Sequence, residues 1–526
     1  MRNAAIVTSL LILGIGMWWT YTGRAGTCGE MHRIPGATLE RMGNISSHPT
    51  TFTRSDLQTY ATISSAFGAA PDFPALLEPS TLSPETVKYL QKVFTPPFGI
   101  MDMDAQVSPL SPHFIFSHSS DADRNVPRPL ALLPAVAASH SRVAFTTRPI
   151  TGSDLEDALG PPECGWWDGY AHQDGAHAGY VYHASQLIGT PRHAHLKAYL
   201  MRATDNLDGL LLPNTGAAPM VQVWAGGLGT LTQGHVDDHA NAFVQIKGNK
   251  TFLLTPPSSS LDLHMYPHLH PGALQSQIRL HELGSGDLAP PEDLGLDYFR
   301  GLESLAGSVV VSLGPGDVLF VPPQWFHTVV STTPDSVSIS VWSFSHLARP
   351  INALMDAPFP LWDSDLYDVD SRLDFAYSLL DTVITSTLLE EQEGPFSSLG
   401  SVYHALLVSR YLPLIARDPE LASVLDPEDV EPWYYARDQV AQRGAQARHD
   451  AGDETELEFE DRRYLANAIA AFEGVEGWGK RLIYVFNYVE HVLFQATRES
   501  GVVVPILRAL STAPTSEASA TSEASG

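Results

Sequence analysis

Residues 229–257, GTLTQGHVDDHANAFVQIKGNKTFLLTPP, decide how this chain is read. AFVQIKG and KTFLLTPP within the stretch read as strands, with Asn249 in the turn between them. His235 and Asp237 are separated by one residue. In an extended strand the side chains at i and i+2 share a face, so an imidazole and a carboxylate can reach one ion from a single strand. A third ligand must come from elsewhere. His327 lies 92 residues on, after GPGDVLFVPPQWFH, at the end of a strand that a barrel can fold back beside the first. Two His and one carboxylate on one face of an octahedral ion leave three positions open. That suits Fe(II), whose open positions take a bidentate 2-oxo acid and then dioxygen.

Working outward, short apolar runs alternate with Gly, Pro, Asp and Asn turns from about 126 to 348. VQVWAG, SVVVSLGPGD, VLFVPP and SVSISVWSF all read as strands. Repeated short strands predict an all-β sandwich or barrel. After residue 350 the period changes. Leu373, Ala376, Tyr377, Leu380, Val383, Ile384 and Leu388 follow helical spacing, with Ser371 or Asp370 as cap and Gly394-Pro395 as stop. Further helices fit 400–416, 432–446, 460–473 and 480–498. A short one fits Ser83–Val93. The expected organisation is a signal anchor or signal peptide at 1–22, a mixed region at 23–125, a β catalytic domain at 126–348, a helical region at 349–510 and a disordered tail at 511–526.

An HxD pair alone is weak, but its surroundings are specific. The chain carries Thr232, His235, Asp237 and Asn241, then Gln245-Ile246-Lys247-Gly248, Lys250 and Pro256-Pro257. Tyr266-Pro267, His270-Pro271 and Gln275-Ser276-Gln277 follow, and then Gly314-Pro315-Gly316-Asp317-Val318, Pro322, Trp325 and His327. In this order the motifs resemble the JmjC and cupin-like hydroxylases, the asparaginyl hydroxylases among them, over about 180–345. The resemblance implies a mainly β core of the double-stranded β-helix (jelly-roll) type, α+β overall with the helical region. It implies Fe(II) on His235, Asp237 and His327, with 2-oxoglutarate decarboxylated to succinate while a substrate C–H bond is oxidised. Lys250 would pair with the distal carboxylate of 2-oxoglutarate, with Thr232 as hydroxyl donor to the same group. Asn241 would lie near metal and co-substrate. Tyr180, in GYVYHASQL, would supply a phenol, with Tyr182 as a competing register. Ser340 stands where the family carries an Asn; it still forms a hydrogen bond but reaches less far.

The remaining features bound this reading. A formal charge of −28 argues against a general nucleic-acid binder, because phosphate contacts need clustered Lys and Arg. It is compatible with a basic protein or peptide substrate. Cys28 and Cys164 make no disulfide framework and no Cys-based zinc site. Ala4–Trp19 is apolar on every face, and Trp18, Trp19 and Tyr21 suit a membrane interface. The expectation is an uncleaved anchor over a cleaved signal, with the body on the lumenal side of the secretory pathway. Asn44 and Asn249 head glycosylation sequons, the second expected to be unused. His239 makes an HxxxH spacing with His235, but without HExxH and a helix it does not read as zinc. His264, His268 and His270 form a loop cluster with no expected ion. Trp325 and Phe326 read as packing. The helices are candidates for a homodimer interface. Two rival classes stay open: a zinc or manganese cupin acting as an isomerase or sugar-binding module, and an inert membrane-anchored scaffold. Histone demethylation is a subclass of the favoured reading.

Overall fold

Between residues 220 and 344 the alternation of apolar residues with turn formers produces two facing antiparallel sheets. This is a computed structural model of the chain. It describes residues 52–69, 72–78, 103–108, 113–114, 146–150, 180–186, 220–278, 307–333, 336–344, 348–361, 367–390, 394–417, 419–451 and 459–512, with single positions at 85, 88 and 210. The expected anchor, the Asn44 sequon, both cysteines and most of the expected helix at Ser83–Val93 lie outside these residues.

One sheet orders Val309–Leu313, Lys250–Thr255, Phe326–Ser331 and Leu231–His235 side by side. The other orders Val318–Val321, His239–Lys247, Ser336–Phe344 and Met220–Gly226. Each hairpin crosses from one sheet to the other, which is the double-stranded β-helix. Phe243, Phe252, Val311, Leu319 and Val329 pack between the layers. The tight turn Gly248-Asn249 joins His239–Lys247 to Lys250–Thr255, and Gly248 takes φ +62°, which glycine adopts without cost. Asn249 is exposed there while Lys250 is buried, so the two side chains leave the turn on opposite sides.

The region before residue 126 does not stand apart. Phe52–Thr53 pairs in parallel with Val309–Leu313, and Ala75–Leu77 pairs with Val318–Val321, so it extends both sheets at their edges. Arg54 clamps the Gly-Pro-Gly-Asp turn through two bonds to Asp317, at 2.9 and 2.7 Å.

The helical region comprises Val369–Ile384, Leu399–Leu406, Leu412–Arg417, Arg437–Ala451, Phe459–Glu473 and Trp478–Thr497. Its cap differs from expectation: Asp368, not Asp370 or Ser371, caps the first of these, accepting from the Ser371 N–H at 2.7 Å. Ala348–Asp356, Pro419–Leu425 and Val503–Thr512 are additional helices, and the last reaches past the expected start of the tail. Two π-helical turns, Thr385–Leu389 and Leu407–Tyr411, interrupt the ladder. Leu399–Ala416 is the one described stretch long and apolar enough to cross a membrane; half of it is buried, with Val402, Leu406 and Tyr411 inside the helical core.

Candidate metal centre

His235 closes the strand Leu231–His235, and His327 is the second residue of Phe326–Ser331. The two are register partners on adjacent antiparallel strands. Asp237 follows in the turn, where its carbonyl accepts from the Gln324 N–H at 2.8 Å. His235 Nε2 lies 4.0 Å from Asp237 Oδ1, and His327 Nε2 lies 3.6 Å from Oδ2. One ligating atom from each of the three residues falls within 4.8 Å of the others, the only such group among the described residues. His264, His268 and His270 do not converge in this way, and His239 begins a strand rather than a helix.

The donor set fits a divalent ion. His235 Nδ1 is 2.8 Å from the Gln233 carbonyl and His327 Nδ1 is 3.1 Å from the Trp325 carbonyl. A backbone carbonyl can only accept, so each ring carries its proton on Nδ1 and offers the Nε2 lone pair toward Asp237. Burial and the neighbouring His235 push the His327 imidazole down to about 4, against the opposing pull of Asp237. At neutral pH it is therefore an uncharged ligand, and its approach to Asp237 is not an ion pair. Asp237 Oδ2 is buried without a hydrogen-bond partner, a costly state for a carboxylate oxygen unless a cation completes it.

The triad opens into a pocket of about 340 Å³, its mouth included, walled by Trp224, Phe243, Phe252, Val329 and Trp342. Thr232, Asn241, Lys250 and Ser340 all line it. Lys250 is 2 % exposed and donates to Ser338 Oγ at 2.8 Å, with its ammonium 5.5 Å from the Phe243 ring centre. No carboxylate pairs with it among the described residues. Burial pulls its amine down to about 7. Holding the charge there costs about 5 kcal/mol relative to water. A hydrogen bond to a neutral hydroxyl returns only about 1 kcal/mol. An anion beside Lys250 would offset that cost.

Thr232 and Tyr182 join their hydroxyls at 3.0 Å, and burial pushes the Tyr182 phenol up, so it stays neutral. Tyr182, the competing register, lines the pocket; the Tyr180 side chain lies outside the described residues. Ser340 Oγ accepts from Trp224 Nε1 at 2.9 Å and from Asn241 Nδ2 at 3.4 Å. Asn241 Oδ1 and Trp342 Nε1 are buried with no protein partner. Trp325 and Phe326 are buried outside the pocket, and Trp325 donates to the Asp72 carbonyl at 2.8 Å.

Sequence reasoning missed Ser338, Trp224 and Trp342. The available signal was the period of two in SVSISVW, which places Ser336, Ser338, Ser340 and Trp342 on one face. Ser336 receives Gln245 Nε2 at 3.0 Å, Ser338 receives Lys250, and Ser340 receives Trp224.

Comparison with known proteins agrees with this geometry. Residues 177–347 match the Cupin-like domain family. The human protein named HSPB1-associated protein 1 is 32 % identical over 136 residues, 25 % of this chain and 26 % of its own length. Lysine-specific demethylase JMJ31 of Arabidopsis thaliana is 26 % identical over 34 % of this chain and 31 % of its own. Jumonji C domain-containing protein 5 of Drosophila melanogaster is 30 % identical over 24 % of this chain and 29 % of its own. The chain thus spans between a quarter and a third of the length of these relatives. Members of the JmjC and cupin-like family are commonly oxygenases that use Fe(II) and 2-oxoglutarate. The sheets that carry His235, Asp237 and His327 thus lie within a segment, residues 177–347, that matches the Cupin-like domain family.

Proposed function

We propose that the chain is an Fe(II)- and 2-oxoglutarate-dependent oxygenase that hydroxylates a protein or peptide. The observation that carries the reading is the buried Lys250 amine, with no carboxylate beside it among the described residues, in the same pocket as the His235, Asp237 and His327 cluster. A pocket with a metal-ligand set and a separate anion site suits a short dicarboxylate that binds at both ends.

Bound iron would couple decarboxylation of 2-oxoglutarate, giving succinate and CO2, to oxidation of a substrate C–H bond. The protein's residues bind, orient and exclude water. Lys250 neutralises the distal carboxylate, and the Thr232–Tyr182 hydroxyl pair offers it a further donor. Asn241 and Ser340 border the pocket on the wall formed by His239–Lys247 and Ser336–Phe344. The rings of Trp224, Phe243, Phe252 and Trp342 exclude water, which strengthens each charge contact inside.

The decisive experiment incubates purified protein with Fe(II), ascorbate and 2-oxoglutarate, with and without a panel of peptides, and measures succinate. Succinate formation that a Lys250→Ala variant loses supports the reading. No succinate, together with no thermal stabilisation by the mimic N-oxalylglycine, sinks it. The protein substrate and an amino-terminal anchor with a lumenal body belong to the same proposal, supported by the family resemblance and by the apolar run Ala4–Trp19. Carbonate extraction and protease protection of the full chain in microsomes test the second part.

A further inference from the structure

The side chains behind the metal ligands belong to another part of the chain. Val236 stands between two ligands in sequence, and Phe326 immediately precedes the third. Neither lines the pocket. Instead they form a small buried cluster with Met265 and with Ile483 of the helix Trp478–Thr497. Ile483 is fully buried, and its carbonyl accepts from Arg410 Nη2 at 3.4 Å.

The segment 263–278 forms a second link between the same partners. It runs beside the His235 strand: Ser276 N–H donates to Gly234 O at 2.7 Å, Val236 N–H to Leu274 O at 2.9 Å, and Gln275 bridges His235. Its other side rests on the π-helical turn Leu407–Tyr411. Widening a helix to i→i+5 bonding takes carbonyls off the ordinary ladder. Here Ser409 O faces His264 Nδ1 at 3.1 Å and Arg410 O accepts from Gln277 Nε2 at 2.7 Å. Arg410 in turn reaches Glu490 and Asn487 on the helix Trp478–Thr497, both at 2.8 Å. The helix start is fitted to the barrel with no slack: a Cβ at Gly479 would fall 2.5 Å from Ser258 N and 2.6 Å from the Pro257 carbonyl carbon.

We propose that the helical region is a positioning element of the metal centre, with Ile483 as the residue that holds Val236 and Phe326, and so the backbone of the three ligands, in register. The proposal deepens the metal reading of the triad and rests on it for its consequence in affinity. Ile483 is a positioning residue; it touches neither the pocket nor the reacting atoms.

The test uses the full chain. Ile483→Ala is compared with Ile506→Ala, which truncates an equally buried isoleucine inside the helical core of Val503–Thr512. Ile483→Val serves as the conservative variant and Gly479→Ala as an independent displacement of the same helix. Hydrogen exchange on metal-free protein is read at peptides covering 231–239 and 324–331, and Co(II) affinity is read by titration. The expected result is faster exchange at both peptides in Ile483→Ala and Gly479→Ala, with Co(II) bound about tenfold more weakly, the scale of lost support behind a ligand. Ile483→Val should stay near wild type, and Ile506→Ala should lower Tm without moving either readout beyond twofold. Equal effects of the two Ala variants, or unchanged exchange at 231–239 in Ile483→Ala, overturn the proposal. Wild-type protein that binds no Co(II) in a His235-dependent way would instead overturn the metal reading, while the exchange arm still decides whether Ile483 holds these strands. If Ile483→Ala fails to fold, Gly479→Ala and Ile483→Val decide by the same criteria.

Discussion

His235 and His327 face each other across one antiparallel register pair, their ring centres 4.0 Å apart and the rings inclined at 50°. Two imidazoles that both turn Nε2 toward Asp237 form a donor set for a metal cation. His327→Ala is therefore expected to weaken Co(II) or Mn(II) binding by at least about 100-fold, with a Tm close to wild type in metal-free buffer. Titration by calorimetry checks it. A variant that binds metal as tightly as wild type would place the ion elsewhere.

On the proposed reading, Lys250 makes 2-oxoglutarate binding depend on pH. Burial holds its amine at about 7, and an adjacent carboxylate would raise it. Binding therefore takes up a proton above pH 7. Affinity for 2-oxoglutarate should be flat below about pH 6.5 and fall about tenfold per unit as pH climbs past 7. Calorimetry at pH 8 in buffers of different ionisation enthalpy should read close to one proton taken up; none would remove Lys250 from the anion site.

The same group shapes stability without ligand. The unfolded chain keeps the Lys250 proton up to the ordinary 10.5, while the folded chain releases it near 7. Between those values the unfolded state binds more protons, so this contribution to stability rises with pH. Lys250→Met should remove that slope and stabilise the ligand-free protein most at pH 7 and below. Urea unfolding of both proteins at pH 6.5 and 9 measures it, and an identical slope in both would refute it.

Ser340 supports two neighbours at once. Ser340→Ala leaves Trp224 Nε1 and the Asn241 amide without their shared acceptor, at a cost of about 1–3 kcal/mol. A lowered Tm and a higher KM for 2-oxoglutarate are expected together. Loss of stability with KM unchanged would mean that this corner does not touch the co-substrate.

Arg410 and Glu490 form an ion pair at 2.8 Å with both side chains buried, and Tyr411 donates to the second carboxylate oxygen at 2.9 Å. Arg410→Met alone strands the carboxylate and should destabilise by about 3–5 kcal/mol. Burial already pushes the Glu490 carboxyl up, so the loss should lessen toward acid pH, where the stranded group takes a proton. Denaturant melts at pH 5 and 8 compare the two; equal losses would contradict this account.

Several parts of this architecture were readable from residue order, each through a local rule. His235 and Asp237 converge as their spacing suggested, although the strand ends at His235 and Asp237 stands in the turn after it, and Leu373 through Leu388 show the helical period. The His327 partner was reachable because the flanking Gly-Pro-Gly-Asp turn is itself distinctive. Ser338 was not, because alternation between polar and apolar residues reads as a strand with one wet face. In the fold Ser336, Ser338 and Ser340 are at most 1 % exposed, and their hydroxyls meet Gln245, Lys250 and Trp224 instead of solvent. The cluster of Ile483 with Val236 was equally hidden, since it joins residues far apart in sequence through packing alone. The π-helical turns left no trace in the periodicity.

His235 and His327 are neighbours in the fold but 92 residues apart along the chain. Contacts of such long range form only after the intervening loop has closed, and they slow folding accordingly. An ion at this site therefore could not nucleate the sheet: half a site, on either strand alone, would hold it weakly. Metal uptake at this site would be a late event that reports barrel closure, and an ion would be kept off chains that have not finished folding.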